Sequence, residues 1–232
     1  MLKKSEIMLL IQEAGLDAQF RENCGNEWSD GVNQISEVPT YYLEHLVNYQ
    51  SIVFKYLSEN SIEISLVIYN DKRVCAVWPL YLDINKKEPI KSINDQYGGI
   101  VVSPLFIENF PKKSERKIIK ACIRFLNTLL TKSKGKVWRS SELSAKVSVS
   151  QWHQLCLENG ALLDKVCYEM YVDLSLSINQ IRSFIRKSYR PLISSGLKKW
   201  TVSVMDQYCE ATWNDFRILH KHVSGRVTRP IE

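Results

Sequence analysis

Six cations, Arg182, Arg186, Lys187, Arg190, Lys198 and Lys199, fall within residues 181–200, and no acid interrupts the chain between Asp173 and Asp206. Guanidinium groups present a bidentate fork to phosphate oxygens and ammonium groups a compact point charge, so such a run suits a diphosphate or a polyanion. The whole chain carries 31 Lys and Arg against 25 Asp and Glu. Setting those six aside leaves 25 cations, equal to the acids, so the net charge of +6 is local. The plain alternative is a solvated helix face that happens to be positive. It is weakened because surface helices usually interleave both signs.

A second basic group follows in "RILHKHVSGRVTRP", with Arg217, His220, Lys221, His222, Arg226 and Arg229. Histidine is the side chain that changes charge near neutral pH, which makes His220 a candidate general base. His220 and His222 would point about 200° apart on a helix, so they are not expected to close on one metal ion; no metal site is expected. His45 and His153 fall on predicted helices and read as ordinary residues. The chain has no G-x-S-x-G, no P-loop and no paired-carboxylate signature, so hydrolase and nucleotide-hydrolysing readings lack support.

These residues need elements to position them. A chain of 232 residues with 45% hydrophobic and 24% charged side chains is expected to fold as a globular protein. No stretch approaches the roughly 20 apolar residues that span a bilayer. The apolar run in "MLKKSEIMLLIQEAG" is cut by Gln12 and Glu13, so it reads as an amphipathic helix and not as a leader. Cysteines at 24, 75, 122, 156, 167 and 209 form no C-x-x-C pair. Scattered thiols of this kind suit reduced, mostly buried cysteines and a cytoplasmic location.

Residues 40–59 carry Leu43, Leu46, Val47, Ile52, Val53, Tyr56 and Leu57 near a helical period. "IEISLVIYN" and "RVCAVWPLYLDI", parted by Asp71-Lys72, read as a hairpin, and "PIKSINDQYGGIVVSPLF" supplies a further strand. A long helix is expected over 113–133, with Ile118, Ile119, Cys122, Phe125, Leu126, Leu129 and Leu130 as its apolar stripe. "KVWRS" reads as a strand, "SQWHQLCLENG" as a helix ending at Gly160, and "KVCYEMYVDLSL" as a strand. The expected architecture is an α+β domain over residues 1–174, a mixed, largely antiparallel sheet with flanking helices, in the element order of an N-acetyltransferase-type fold.

Residues 175–232 read as helix (178–199), strand ("TVSVM") and helix (210–223). Ser177 or Asn179 can cap the first helix, with Ile181, Phe184, Ile185, Tyr189, Leu192 and Ile193 buried and Arg182, Arg186 and Arg190 in one row opposite. Pro191 is expected to kink or break it and to bias Arg190 away from the α region. So short an array has too little sheet for its own core, and is expected to dock on the first domain or on another chain, a route to self-association.

"YEMYVDLSLSINQIRSFIRKSYRPLISSG" followed by "WNDFRILHKHVSGRVTRP" resembles the middle of the Fem-type (FemAB-like) acyltransferases, which are similar to two N-acetyltransferase-like domains in tandem. "VWPLYL" and "DQYGGIVVSPL" resemble them more loosely. The resemblance implies transfer of an acyl or aminoacyl group to an amine of a cell-envelope or surface-glycan precursor, often linked to a nucleotide diphosphate. Arg186, Lys187, Arg190 and Lys198 would then hold phosphates, Arg226 and Arg229 would orient donor or acceptor, His220 would be the catalytic residue, and Asp95 and Tyr97 would touch the acceptor. The donor would be acyl-CoA or aminoacyl-tRNA, with no tightly bound cofactor. The paired helical arm of some bridge-forming members is absent, which weighs against transfer RNA. Family members continue for about another sheet after "GRVTR", so residues 175–232 are expected to open an incomplete second domain.

The turn "QYGGIV" at Gln96 is the nearest match to the pyrophosphate loop of single-domain acetyl-CoA users. Val101 stands where Gly or Ala is needed and a strand follows, so the turn reads as a glycine-bearing bend. Two other classes stay open. An RNA-binding protein could use the cations with Tyr189, Trp200 and Trp213 as stacking groups, although the remainder of the chain is electrically balanced. A non-catalytic fragment that only folds or associates is the other.

Overall fold

In the computed structural model, the described residues are 2–84, 86–95, 98–141, 149–164, 172–201, 203–204 and 206–224. The chain is of mixed α/β composition with small antiparallel sheets and divides into two units, Met1–Leu162 and Leu163–Glu232. The expected boundary lay at residue 174.

The first unit opens with α1 (Lys4–Glu13), which buries Ile7, Leu10 and Ile11. Strand β1 (Ala18–Phe20), a 3-10 turn (Arg21–Asn23) and α2 (Glu27–Val32) follow; none of these three was legible in the sequence. A second 3-10 turn (Thr40–Tyr42) leads into α3 (Glu44–Leu57). The buried side of α3 is Val47 and Phe54, and Ile52, Tyr56 and Leu57 of the periodic set are exposed. Apolar residues surround this helix, and only packing selects which of them go inside.

Each half of the expected hairpin splits in two. The first run becomes β2 (Ser61–Glu63) and β3 (Leu66–Asn70), the second β4 (Arg73–Trp78) and β5 (Tyr81–Asp83). Asp71 and Lys72, at φ 51° and 62°, make the tight turn between β3 and β4. Strands β3 and β4 belong to a sheet ordered β1-β3-β4-β9, with β9 at Leu105–Phe106. Strands β2 and β5 pair in a second sheet with β6 (Ile90–Lys91). Pro79 has no N–H to offer a ladder, and at the crossing Ser65 Oγ takes over, accepting from Leu80 N–H at 3.2 Å. A third pair joins β7 (Ile93–Asp95) to β8 (Gly98–Ile100).

The long helix α4 (Lys112–Lys132) matches its expected span, with Ile118, Ile119, Cys122, Phe125, Leu126 and Leu129 buried. "KVWRS" is not a strand. Its Ser140 makes a single parallel bridge to Val101, and α4 is the crossover that parallel pairing requires. Helix α5 (Gln151–Glu158) is capped by Ser150, whose Oγ accepts from His153 N–H. The main core lies around Trp78, which meets Phe125 and Trp152 edge-on at centroid distances of 6.3 and 5.9 Å. Its indole N–H donates to Val102 O at 2.7 Å.

In the second unit the expected helix over 178–199 is two helices, α6 (Ile178–Phe184) and α7 (Arg190–Lys199), joined by a 3-10 turn at Lys187–Tyr189. Helix α8 (Glu210–Ser224) follows. The expected strand "TVSVM" is not formed at its described residues Thr201, Ser203 and Val204. Most of "KVCYEMYVDLSL" lies outside the described residues. No described side chain of this unit is buried, including the six apolar ones assigned to the inner side of the basic helix. None of the described helices is long and apolar enough to cross a membrane.

Candidate functional site

The basic segment is built by local hydrogen bonds. Ser177 and Gln180 form a reciprocal capping box at the start of α6, with Ser177 N–H donating to Gln180 Oε1 at 2.9 Å and Gln180 N–H to Ser177 Oγ at 3.3 Å. The helix stops at Ile185, whose extended backbone (ψ 134°) turns the chain away. Arg186 then caps the 3-10 turn, and Arg190 opens α7.

Arg190 bends back on what precedes it. Its Nε donates to Ile185 O at 3.1 Å and its Nη2 to Ser183 O at 2.7 Å, so the guanidinium satisfies carbonyls that the end of α6 leaves open. Positive charge there also complements the helix dipole. This changes two expectations. Arg190 is in the α region (φ −60°, ψ −42°), and Pro191 starts a helix where one was expected to break. In a first turn proline loses no hydrogen bond and its fixed φ is already helical.

The row of three arginines consequently does not form, because Arg182, Arg186 and Arg190 lie on α6, in the link and on α7. Arg182 sits in the last turn of α6, and Lys198 and Lys199 in the last turn of α7. The link itself carries Arg186 and Lys187, both exposed. Their charges act at short range, screened beyond about 8–10 Å at physiological salt.

His220 lies on α8 and stacks on Phe216 at a centroid distance of 6.0 Å and 23°; Phe216 stacks in turn on Trp213 at 5.6 Å and 28°. The ladder follows from spacings of three and four along the helix. Just before α8, the exposed thiol of Cys209 has its pKa lowered, chiefly by a hydrogen bond with the Thr212 side chain. Arg226, Arg229 and Tyr97 lie outside the described residues. Asp95 belongs to the first unit and stands opposite Gly98 in the β7–β8 hairpin. Gly98 and Gly99 of "QYGGIV", expected in a bend, fall in β8, and Gln96 and Tyr97 lie outside the described residues.

Sequence reasoning missed a buried ion pair. Asp83 is fully buried on β5, and Lys91, on β6, brings its Nζ to 3.9 Å from Asp83 Oδ2 and 4.4 Å from the centre of the Phe54 ring. Asp83 Oδ1 accepts from Ser58 Oγ at 3.0 Å, while Oδ2 has no hydrogen-bond partner. Burial pulls the Lys91 amine below its ordinary range and the Asp83 charge opposes that shift. Gly99 makes room for the lysine: a Cβ there would lie 2.8 Å from Lys91 Cβ and 3.1 Å from its Cδ. The sequence around it, "KKEPIKSIND", is mostly charged and polar and carries no signal that Lys91 is buried.

Comparison of the chain with family profiles, with curated proteins and with solved structures gives no match.

Proposed function

We propose that the chain is an acyltransferase of the Fem-like kind, with an N-acetyltransferase-like first domain, transferring an acyl or aminoacyl group to an amine of an anionic cell-envelope or surface-glycan precursor. One observation carries the reading: within the acid-free run from 174 to 205, one short helix ends and another begins at a link that exposes Arg186 and Lys187 beside Ser188 and Tyr189. A diphosphate engages such a pair well, one group as a fork and the other as a point charge. The antiparallel strands, the α4 crossover and the parallel bridge at Val101 and Ser140 support the fold assignment.

In the reaction the substrate amine attacks the carbonyl carbon of a thioester or ester, the carbonyl oxygen takes negative charge, and the tetrahedral adduct expels thiolate or alkoxide. His220 would accept the amine proton and return one to the leaving group. Rate would come from positioning and oxyanion stabilisation.

The test is calorimetric titration of nucleotide-diphosphate precursors into the wild-type chain and into Arg186→Gln/Lys187→Gln. We expect affinity to fall at least tenfold in the variant; equal affinity removes the link from the site. Arg190→Gln serves as a separate probe, since it releases the carbonyls of Ser183 and Ile185 and should lower helicity whether or not substrate binds. Steeply salt-dependent binding of RNA with no saturable small ligand would favour a polyanion-binding protein instead.

A further inference from the structure

The C-terminal end of α4 and the link between β5 and β6 border an open cleft of about 700 Å³ on the first unit. Lys86 and Lys87 line it from the link, and Lys132, Lys134 and Lys136 from the helix end and the segment beyond. Glu6 is the one acid in the lining. Among the described residues, no carboxylate lies within 4.0 Å of any of the five ammonium groups. Lysines at a helix C-terminus ordinarily answer the dipole, but that end carries only about half a negative charge. Five cations against Glu6 and that half charge leave the cleft positive by roughly 3.5.

The backbone at Lys134 is a second, separate observation. Helix α4 closes with Gly135 N–H donating to Leu130 O at 3.0 Å and Lys134 N–H to Thr131 O at 3.2 Å. Closures of this pattern favour glycine at the left-handed position. Here Lys134 occupies that position, at φ 57°, and the glycine comes one residue later. Gly135 serves another need, because a Cβ there would lie 2.4 Å from Pro89 and 2.6 Å from Leu130. That close approach lets Lys136 N–H donate to Lys87 O at 2.9 Å, which locks the two lysine-bearing segments together. A strained lysine thus stands where glycine would be easier, on the rim of a site already crowded with positive charge.

We propose that this cleft binds a soluble oligophosphate about the size of a nucleoside diphosphate. The lysines take the phosphates, and Leu2 and Ile84, also in the lining, face the apolar part of the ligand. The volume falls in the roughly 300–1,000 Å³ range of small-molecule sites, whereas a nucleic-acid polymer needs a continuing track of charge. None of these residues belongs to the basic segment of the second unit, so the proposal stands apart from the acyltransferase reading.

The test uses the full chain, with inorganic tripolyphosphate and a nucleoside diphosphate as probes, chloride at matched ionic strength as the blank, and a 20-residue single-stranded oligonucleotide as the polymer arm. Tripolyphosphate should bind saturably and raise Tm, and Lys87→Gln/Lys136→Gln should weaken binding at least tenfold. Lys134→Gly is the discriminating variant: Tm should rise by about 2–4 °C as strain and repulsion are relieved, while affinity falls about fivefold. The titrations are run in the Arg186→Gln/Lys187→Gln background, so that anion binding at the link of the second unit does not enter the isotherm. The proposal is overturned by absence of saturable binding, by undiminished affinity in Lys134→Gly, or by an oligonucleotide that binds more tightly than tripolyphosphate and displaces it.

Discussion

The two units meet the same problem, what to do with apolar side chains at helical spacing, and answer it differently. In Met1–Leu162, α4 buries its stripe, and Trp78, Phe125 and Trp152 are each 2% exposed or less. In Leu163–Glu232, Phe184 is 79% exposed, Leu192 64% and Trp200 75%. Periodicity therefore specifies a face and not what covers it. The second unit owes its described structure to short-range devices: the Ser177–Gln180 box, Arg190 over the end of α6 and Pro191 in the first turn of α7. Helices of 7 and 10 residues lie below the roughly 12–15 at which isolated helices become marginal in water.

Thiol reactivity should show the contrast most strongly. Cys122 is fully buried, and burial pushes its pKa well above the ordinary value; Cys75 and Cys156 are each raised by burial to about 12. Cys209 is exposed and its pKa is lowered. With iodoacetamide at pH 7, read by peptide mapping, Cys209 should label at least about a thousandfold faster than Cys122, whose exposure requires opening of the core. A lowered pKa keeps the thiolate populated as pH falls, so Cys209 should still react at pH values where the cysteines of the denatured chain have slowed. Labelling of Cys122 at a comparable rate would erase the distinction.

The next largest effect belongs to Lys91. Lys91→Met leaves Asp83 buried with an unmatched charge and should cost about 3 kcal/mol in urea unfolding. The sign of the pH dependence follows from the lowered amine pKa. The unfolded chain keeps this proton up to about 10.5 while the folded chain releases it earlier. Unfolding then takes up a proton, so wild-type stability gains with rising pH between the folded value and 10.5. The Met variant has no such proton, so the gap between the two proteins should widen in that alkaline window. A Lys91→Met variant as stable as wild type would show that the pair is not isolated from water.

What the sequence revealed divides along the same line. Helix α4 was legible to within one residue at each end because one unbroken apolar stripe runs through it, and Asp71-Lys72 was legible as a tight turn. The splitting of both strand runs was not, because alternation shows that a chain is extended and not which sheet it joins. Ser65 and Pro79 make that choice through a side-chain hydrogen bond and a missing donor. Arg190 was misjudged because its two partners, Ser183 and Ile185, come into reach only after the chain turns at Ile185. The lysine cleft was hidden for a similar reason. "NKK" and "KSKGK" are unremarkable apart, and it is the bond from Lys136 to Lys87 that sets them side by side.

The smallest expected effect is the most direct check on the second unit. At 79% exposure, Phe184 has little of its ring area to lose to water when the chain unfolds, so Phe184→Ser should change global stability by no more than about 0.5 kcal/mol. The expected apolar inner side of the basic helix makes the opposite forecast: a buried phenylalanine cut down to a small side chain typically costs about 3–5 kcal/mol. Urea unfolding of the variant separates the two. Small-angle scattering at several protein concentrations then completes the comparison. A cost above about 2 kcal/mol that grows with concentration would mean a second copy covers Phe184, because stabilisation by association follows mass action. The same cost at every concentration would place the ring in a core within one chain, and periodicity would then have reported burial in both units.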